Sequence, residues 1–195
     1  IKTFLWEIVT KFNAFTFLGC LLMTSIFSSC NFKGEPVQTW SYDEVLFNQM
    51  GEKWNNRNLL NYSFEYSVSD IIPNAVTGIV TVSDGVGSVE LTINGLTFGD
   101  EGYEEELTRY AERNIKINFN SINEIYSYIK SVVNNRKQEY ESKKLIHYDL
   151  NIVYDSENFV PSFIEETLSY KDDFADEFVV GDWDGSLYLK IKNFS

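Results

Sequence analysis

Proline, cysteine and histidine are scarce in this chain of 195 residues, which holds three prolines, two cysteines, one histidine and 11 glycines. So few prolines and glycines exclude collagen-like and proline-rich low-complexity sequence. Two cysteines exclude a disulfide-stapled scaffold and a multi-thiolate zinc site. Positive charge is also short, because 16 Lys and Arg face 29 Asp and Glu, a net charge of −13. That mean field repels a phosphate backbone unless a dense basic patch opposes it, and the sequence contains none, so no nucleic-acid partner is expected. What is plentiful is apolar (44%) and aromatic (16%) sequence, enough to fill the core of one ordinary globular domain.

Part of that apolar content lies in one uncharged stretch. Residues 12–32 contain no Asp, Glu, Lys or Arg, and Ala14 to Phe27 form a mostly apolar run behind Lys2 and Lys11. A positive n-region, an apolar h-region of this length and then Ser28-Ser29 make the three-part pattern of a secretory signal peptide. The next residue is Cys30. Ser28-Ser29-Cys30 resembles the lipobox of bacterial lipoproteins, with Phe27 where that pattern usually has Leu. The resemblance implies cleavage before Cys30 and acylation of its thiol and freed amine with palmitate-like chains. Two alternatives stand beside it: an ordinary cleaved signal, and an uncleaved helix, since the uncharged stretch is just long enough to cross ~30 Å of hydrocarbon. Ser, Thr and Asn interruptions count against the helix. Cys20 lies inside the run and reads as an apolar filler. The expected organisation is therefore a signal peptide over 1–29, a tether over 30–40 and one domain over 41–195, lipid-anchored to the bacterial cell envelope with the domain outside the cytoplasm.

Within the domain, Ser41-Tyr42-Asp43-Glu44 and Ser121-Ile122-Asn123-Glu124 both match the capping box and each opens a predicted helix. Phe47, Met50 and Trp54 recur at helical spacing after the first. Ile122, Ile125, Tyr126, Ile129, Val132 and Val133 do so after the second. Strict alternation follows each helix: Tyr62, Phe64, Tyr66 and Val68, then Ile146, Tyr148, Leu150, Ile152 and Tyr154. Further strands are expected at Val76–Val82, Val89–Ile93, Ser162–Tyr170 and Ser186–Ile191, with turns at Asp84-Gly85, Asn94-Gly95 and Asp184-Gly185. The order predicts an α+β fold, an antiparallel sheet covered on one face by two amphipathic helices and divisible into two αβββ units. Residues 96–118 fit neither unit and read as a long loop with a helical segment around Glu104 to Arg113.

Trp54, Asn61-Tyr62-Ser63-Phe64-Glu65-Tyr66, Val80-Thr81-Val82-Ser83-Asp84-Gly85, Ser121 to Ile129, Leu150-Asn151-Ile152-Val153-Tyr154-Asp155 and Pro161-Ser162 follow one another in an order that resembles an uncharacterised family of bacterial secreted and lipoprotein domains, a domain of unknown function. The resemblance spans roughly Asp43 to Tyr170 and carries no catalytic motif. It implies fold and location. Where that family more often has Gly between the Tyr-Asp pair and the Pro, Asn158 is expected to take the left-handed turn position here.

Chemistry is thinly marked. His147 is out of phase with Tyr148 and Leu150 and is expected on the opposite sheet face. Neither a Gly-x-Ser-x-Gly elbow nor a His-Glu-x-x-His accompanies it. Carboxylates cluster at Asp100, Glu101, Glu104, Glu105 and Glu106 and again at Asp172, Asp173, Asp176, Glu177, Asp182 and Asp184. Asp182 and Asp184 are weak Ca²⁺ candidates within a fragment of a calcium-loop spacing, against the simpler reading of a solvated acidic face. Trp183 between them is a candidate partner contact. Trp54, Tyr62, Phe64 and Tyr66 read first as core and second as a glycan platform. No cofactor is expected. The sequence therefore points to a non-catalytic binding domain for a protein or polysaccharide, with a carboxylate-dependent hydrolase or a structural envelope protein as alternatives.

Overall fold

The computed structural model describes residues 37–68, 76–112, 115–171 and 188–195. The described strands are β1 (Thr39–Ser41), β2 (Tyr62–Val68), β3 (Val76–Ser83), β4 (Val86–Ile93), β5 (Leu96–Thr97), β6 (Leu145–Tyr154), β7 (Pro161–Tyr170) and β8 (Tyr188–Lys192). They form one sheet in the order β1-β6-β7-β8-β2-β3-β4-β5. Every neighbouring pair is antiparallel except β1 and β6, which run parallel. The helices are α1 (Glu44–Asn56), α2 (Tyr103–Glu112) and α3 (Ile122–Glu141). The fold is thus α+β, with a mixed and larger sheet and three helices among the described residues where an antiparallel sheet with two was expected.

Two differences have local causes. Thr39 and Trp40, assigned to the tether, and Ser41, read as the helix cap, pair with His147–Asp149 and extend the sheet. Ser41 is therefore strand, and the cap of α1 is Asp43, whose Oδ1 accepts from the Leu46 amide at 2.8 Å. At α3 the expected cap does form, Ser121 Oγ accepting from the Glu124 amide at 3.2 Å. The Glu124 carboxylate reaches one residue further back than a capping box requires, accepting from the Asn120 amide at 2.7 Å and from Lys116 Nζ at 2.7 Å. Burial opposes its charge, but these two donors outweigh burial and hold the Glu124 carboxyl below the ordinary carboxylate range. A depressed carboxyl stabilises the fold above its unfolded-state pKa, and that contribution fades as pH falls through the folded-state value. Glu124→Gln is accordingly expected to lose about 1 kcal/mol at pH 7. In urea melts, the gap from wild type should close on acidification below the normal Glu range.

Register puts the apolar residues on one face. Tyr62, Phe64, Tyr66 and Val68 lie opposite Val82, Val80, Gly78 and Val76 on β3, and Tyr66 and Val68 lie opposite Ile191 and Leu189 on β8. Leu189 then meets Ile164, and Ile164 meets Ile152, so the core runs unbroken from β6 to β4. On β6 a bulge between Leu145 and His147 shifts the phase, and Leu145 rather than Ile146 is fully buried. Helix α3 packs over β6 and α2 against β4. Helix α1 leans on α3 through Phe47, whose ring lies 5.4 Å from that of Tyr126, and on the start of β2 through Trp54, 5.3 Å from Tyr62.

Two of the three expected turns are present, with positive φ at Asp84 and Gly85 (52° and 79°) and at Asn94 and Gly95 (51° and 84°), the handedness that a two-residue hairpin needs, while Asp184-Gly185 lies outside the described residues. The β6–β7 turn differs from expectation. Phe159, not Asn158, has the left-handed backbone, at φ 62°. Asn158 instead donates its amide to Asp155 Oδ1 and accepts from Arg57, so its side chain and backbone are committed before the turn point. Phe159 is held in place by the Tyr126 hydroxyl on its carbonyl at 2.6 Å and by Lys53 over its ring.

Residues 115–119 alternate like a strand, with Ile115, Ile117 and Phe119 buried, yet they join no ladder. The Tyr66 hydroxyl takes the place of a neighbouring strand. It donates to the Ile117 carbonyl at 2.7 Å and accepts from the Phe119 amide at 3.1 Å. Close approach is possible because Gly78 lies beneath the Tyr66 ring and Gly87 beneath the Asn120 carbonyl.

Candidate functional site

The ends of α1, the β3–β4 turn and the start of α3 surround a half-open pocket of about 430 Å³, lined among others by Trp54, Asn55, Asn58, Leu60, Tyr62 and Asn123. Its size falls in the usual range for small-molecule sites. Each wall follows from local structure. Trp54 is the last apolar residue of the α1 stripe, and Asn55 follows it. Asn58, at φ 49°, turns the chain away from the helix. Tyr62 opens β2, and Asn123 stands in the first turn of α3.

The polar groups here are organised by the indole. An indole N–H can only donate, and Trp54 Nε1 lies 2.6 Å from the Asn123 side chain, so the facing atom is Oδ1 and the NH₂ is left as the group available to a ligand. Asn58 Nδ2 donates to the Asn56 carbonyl at 3.3 Å, leaving its own carbonyl oxygen as an acceptor. The Tyr62 hydroxyl accepts from the Ile122 amide at 3.3 Å. Burial raises its pKa, partly opposed by the Ile122 amide and the Ser121 side chain, so the phenol stays protonated at neutral pH. The lining contains no carboxylate, ammonium, guanidinium or imidazole. It therefore has donors and acceptors but no group that transfers a proton near pH 7.

The carboxylates lie elsewhere, and several of those described are engaged within the fold. Glu166, on β7, is the one buried acid among the described residues, and its side chain is 0% exposed. It accepts from Arg136 Nε at 3.1 Å, while Arg136 Nη1 also reaches Glu139 at 3.1 Å and the Tyr170 hydroxyl at 2.8 Å. Burial alone lowers a guanidinium pKa, but Glu166 foremost, with Glu139, reverses this, and Arg136 is raised. Tyr148, buried beside this cluster, has its hydroxyl pushed up by burial and then by the Glu166 charge. In the first acidic cluster, Asp100 Oδ2 accepts from the Thr97 amide and hydroxyl at 2.7 and 2.9 Å, and both bonds lower its pKa. Glu106 pairs with Arg109 at 2.8 Å and accepts from Asn94 at 2.9 Å. These acids fix a turn and the first turn of α2. Among the described residues, no three His, Cys, Asp or Glu side chains are grouped to hold a metal ion.

His147 sits on the face opposite Tyr148, as alternation requires, with Nδ1 2.7 Å from the Thr39 hydroxyl across the β1–β6 pair. Phe64 and Tyr66 are sealed at 1% and 2% exposure, which removes them from any glycan platform, whereas Trp54 and Tyr62, though buried, line the pocket. Cys30, Asp182, Trp183, Asp184 and the acids from Asp172 to Glu177 lie outside the described residues. The pocket asparagines were not singled out from sequence, although Trp54-Asn55-Asn56-Arg57-Asn58 is visibly rich in amides. Nothing local links that run to Asn123, 69 residues on from Trp54.

Among the described residues no helix is long and apolar enough to cross a membrane. No protein-family model matches the chain, and no curated protein and no solved structure matches it.

Proposed function

We propose that the chain is a bacterial lipoprotein, cleaved before Cys30 and acylated there, whose folded part stands outside the cytoplasm as a non-catalytic binding domain for a protein or polysaccharide. The observation that carries the binding part is the pocket between α1 and α3, which is concave, rich in amides and free of proton-transferring groups. A carboxylate-dependent hydrolase needs two acids facing one cleft. The buried acid that is described, Glu166, is committed to Arg136 and closed to solvent. The Ser28-Ser29-Cys30 pattern supports the anchoring. We read the sheet further as two αβββ units, α1 with β2–β4 and α3 with β6–β8, joined where β8 pairs with β2.

Two measurements test this. Cells fed radioactive palmitate should label the wild-type chain and leave Cys30→Ala unlabelled, and equal absence of label in both removes the anchor. The full chain mixed with insoluble envelope polysaccharide should sediment with it and release no soluble fragments. Released fragments favour the hydrolase, and a chain that stays in the supernatant removes polysaccharide as the partner.

A further inference from the structure

We infer that the α1–α3 pocket takes an uncharged sugar residue, so that the ligand of this domain is a neutral saccharide. The inference rests on the binding reading above and narrows it to one chemistry at one place. The chain carries a net charge of −13, yet the pocket lining has no formal charge of either sign. An anion entering it finds no cationic partner and an unfavourable surrounding field. A cation is drawn by that field but meets no carboxylate inside. A neutral ligand meets neither of these charge penalties.

Hydroxyl groups both donate and accept, and the pocket offers both halves. The Asn123 amide is held by the Trp54 indole with its NH₂ available to donate, and Asn58 keeps a carbonyl oxygen available to accept. Trp54 and Tyr62, 4% and 8% exposed, add a narrow apolar strip to the lining. Leu60, 58% exposed at the mouth, extends that surface outward. The hydrogen bond that orients Asn123 exists before any ligand arrives, so less ordering cost falls on binding.

The test is saturation-transfer NMR on the full chain with three neutral disaccharides, cellobiose, maltose and N,N′-diacetylchitobiose, and with the dianionic digalacturonate as the charged comparison. The expected result is transfer to at least one neutral disaccharide and none to digalacturonate. Asn58→Gly, which removes the side chain at a solvent-exposed position and keeps the left-handed backbone, should weaken that binding at least tenfold, as should Asn123→Ala. Because Asn123→Ala also removes a partner of the buried indole, the exposed Asn58 variant decides the matter if the other fails to fold. Transfer to digalacturonate alone, transfer to none of the neutral sugars, or equal binding by wild type and Asn58→Gly overturns the inference. Failure here with sedimentation on polysaccharide retained places the binding surface elsewhere on the domain and leaves the binding reading intact. Loss of sedimentation as well removes a polysaccharide ligand altogether.

Discussion

Arg136→Ala is expected to destabilise the fold by about 3 to 5 kcal/mol, read as a lowered urea midpoint at pH 7. The reason lies less in the attraction that is lost than in what is left behind. Glu166 points from β7 into the core face, between Ile164 and Leu168, with no solvent contact of its side chain. Arg136, 14% exposed, reaches it from α3 and is itself braced by Glu139 and Tyr170. Without the guanidinium the buried Glu166 carboxylate loses the countercharge of Arg136. Replacing both partners, Arg136→Met with Glu166→Leu, removes the charge together with its neutraliser and is expected to recover most of the loss. A single variant costing under about 1 kcal/mol would show that water reaches Glu166 and that the pair matters little.

The second large effect belongs to Gly78. A Cβ at this position would stand 2.3 Å from the Tyr66 ring, which real contacts do not tolerate. The ring has nowhere to retreat, because Tyr66 is 2% exposed and its hydroxyl is fastened to the Ile117 carbonyl and the Phe119 amide. Gly78→Ala therefore has to overpack the core or pull the hydroxyl off two buried backbone groups. Either route gives about 2 to 4 kcal/mol. A double-mutant cycle separates this from the ordinary effect of alanine in a strand. In a Tyr66→Ala background the cost of Gly78→Ala should fall to nearly zero, and a cost unchanged by that background would contradict the ring contact.

What could be read from sequence follows a physical division. β2, β3, β6 and β7 were legible because their inner and outer faces meet different solvents, and a period of two records that difference residue by residue. The turns at Asp84-Gly85 and Asn94-Gly95 were legible because positive φ restricts composition. β1 was not, since three residues carry no period and its partner His147 lies 108 positions away from Thr39. Residues 115–119 show the opposite error in principle: they alternate, but their backbone bonds go to a tyrosine hydroxyl instead of a strand. The rival caps Ser41 and Asp43 both suit the start of α1, and only the pairing of β1 decides between them. Of the pocket, Trp54 and Tyr62 were visible as aromatics, but the asparagines that give it polarity assemble through the tertiary fold.

The order of the sheet has a kinetic consequence. Its two halves meet at β8 against β2, and β8 follows every other described strand in sequence, flanked on one side by β7 and on the other by a strand more than 120 positions earlier. A polypeptide emerging from its N-terminus can assemble the β2–β5 meander early, but the seam stays open until residues 188–192 arrive, and such long-range closure is slow. For a chain exported as proposed, that late zipper leaves time to thread the membrane before the barrier to reopening is set.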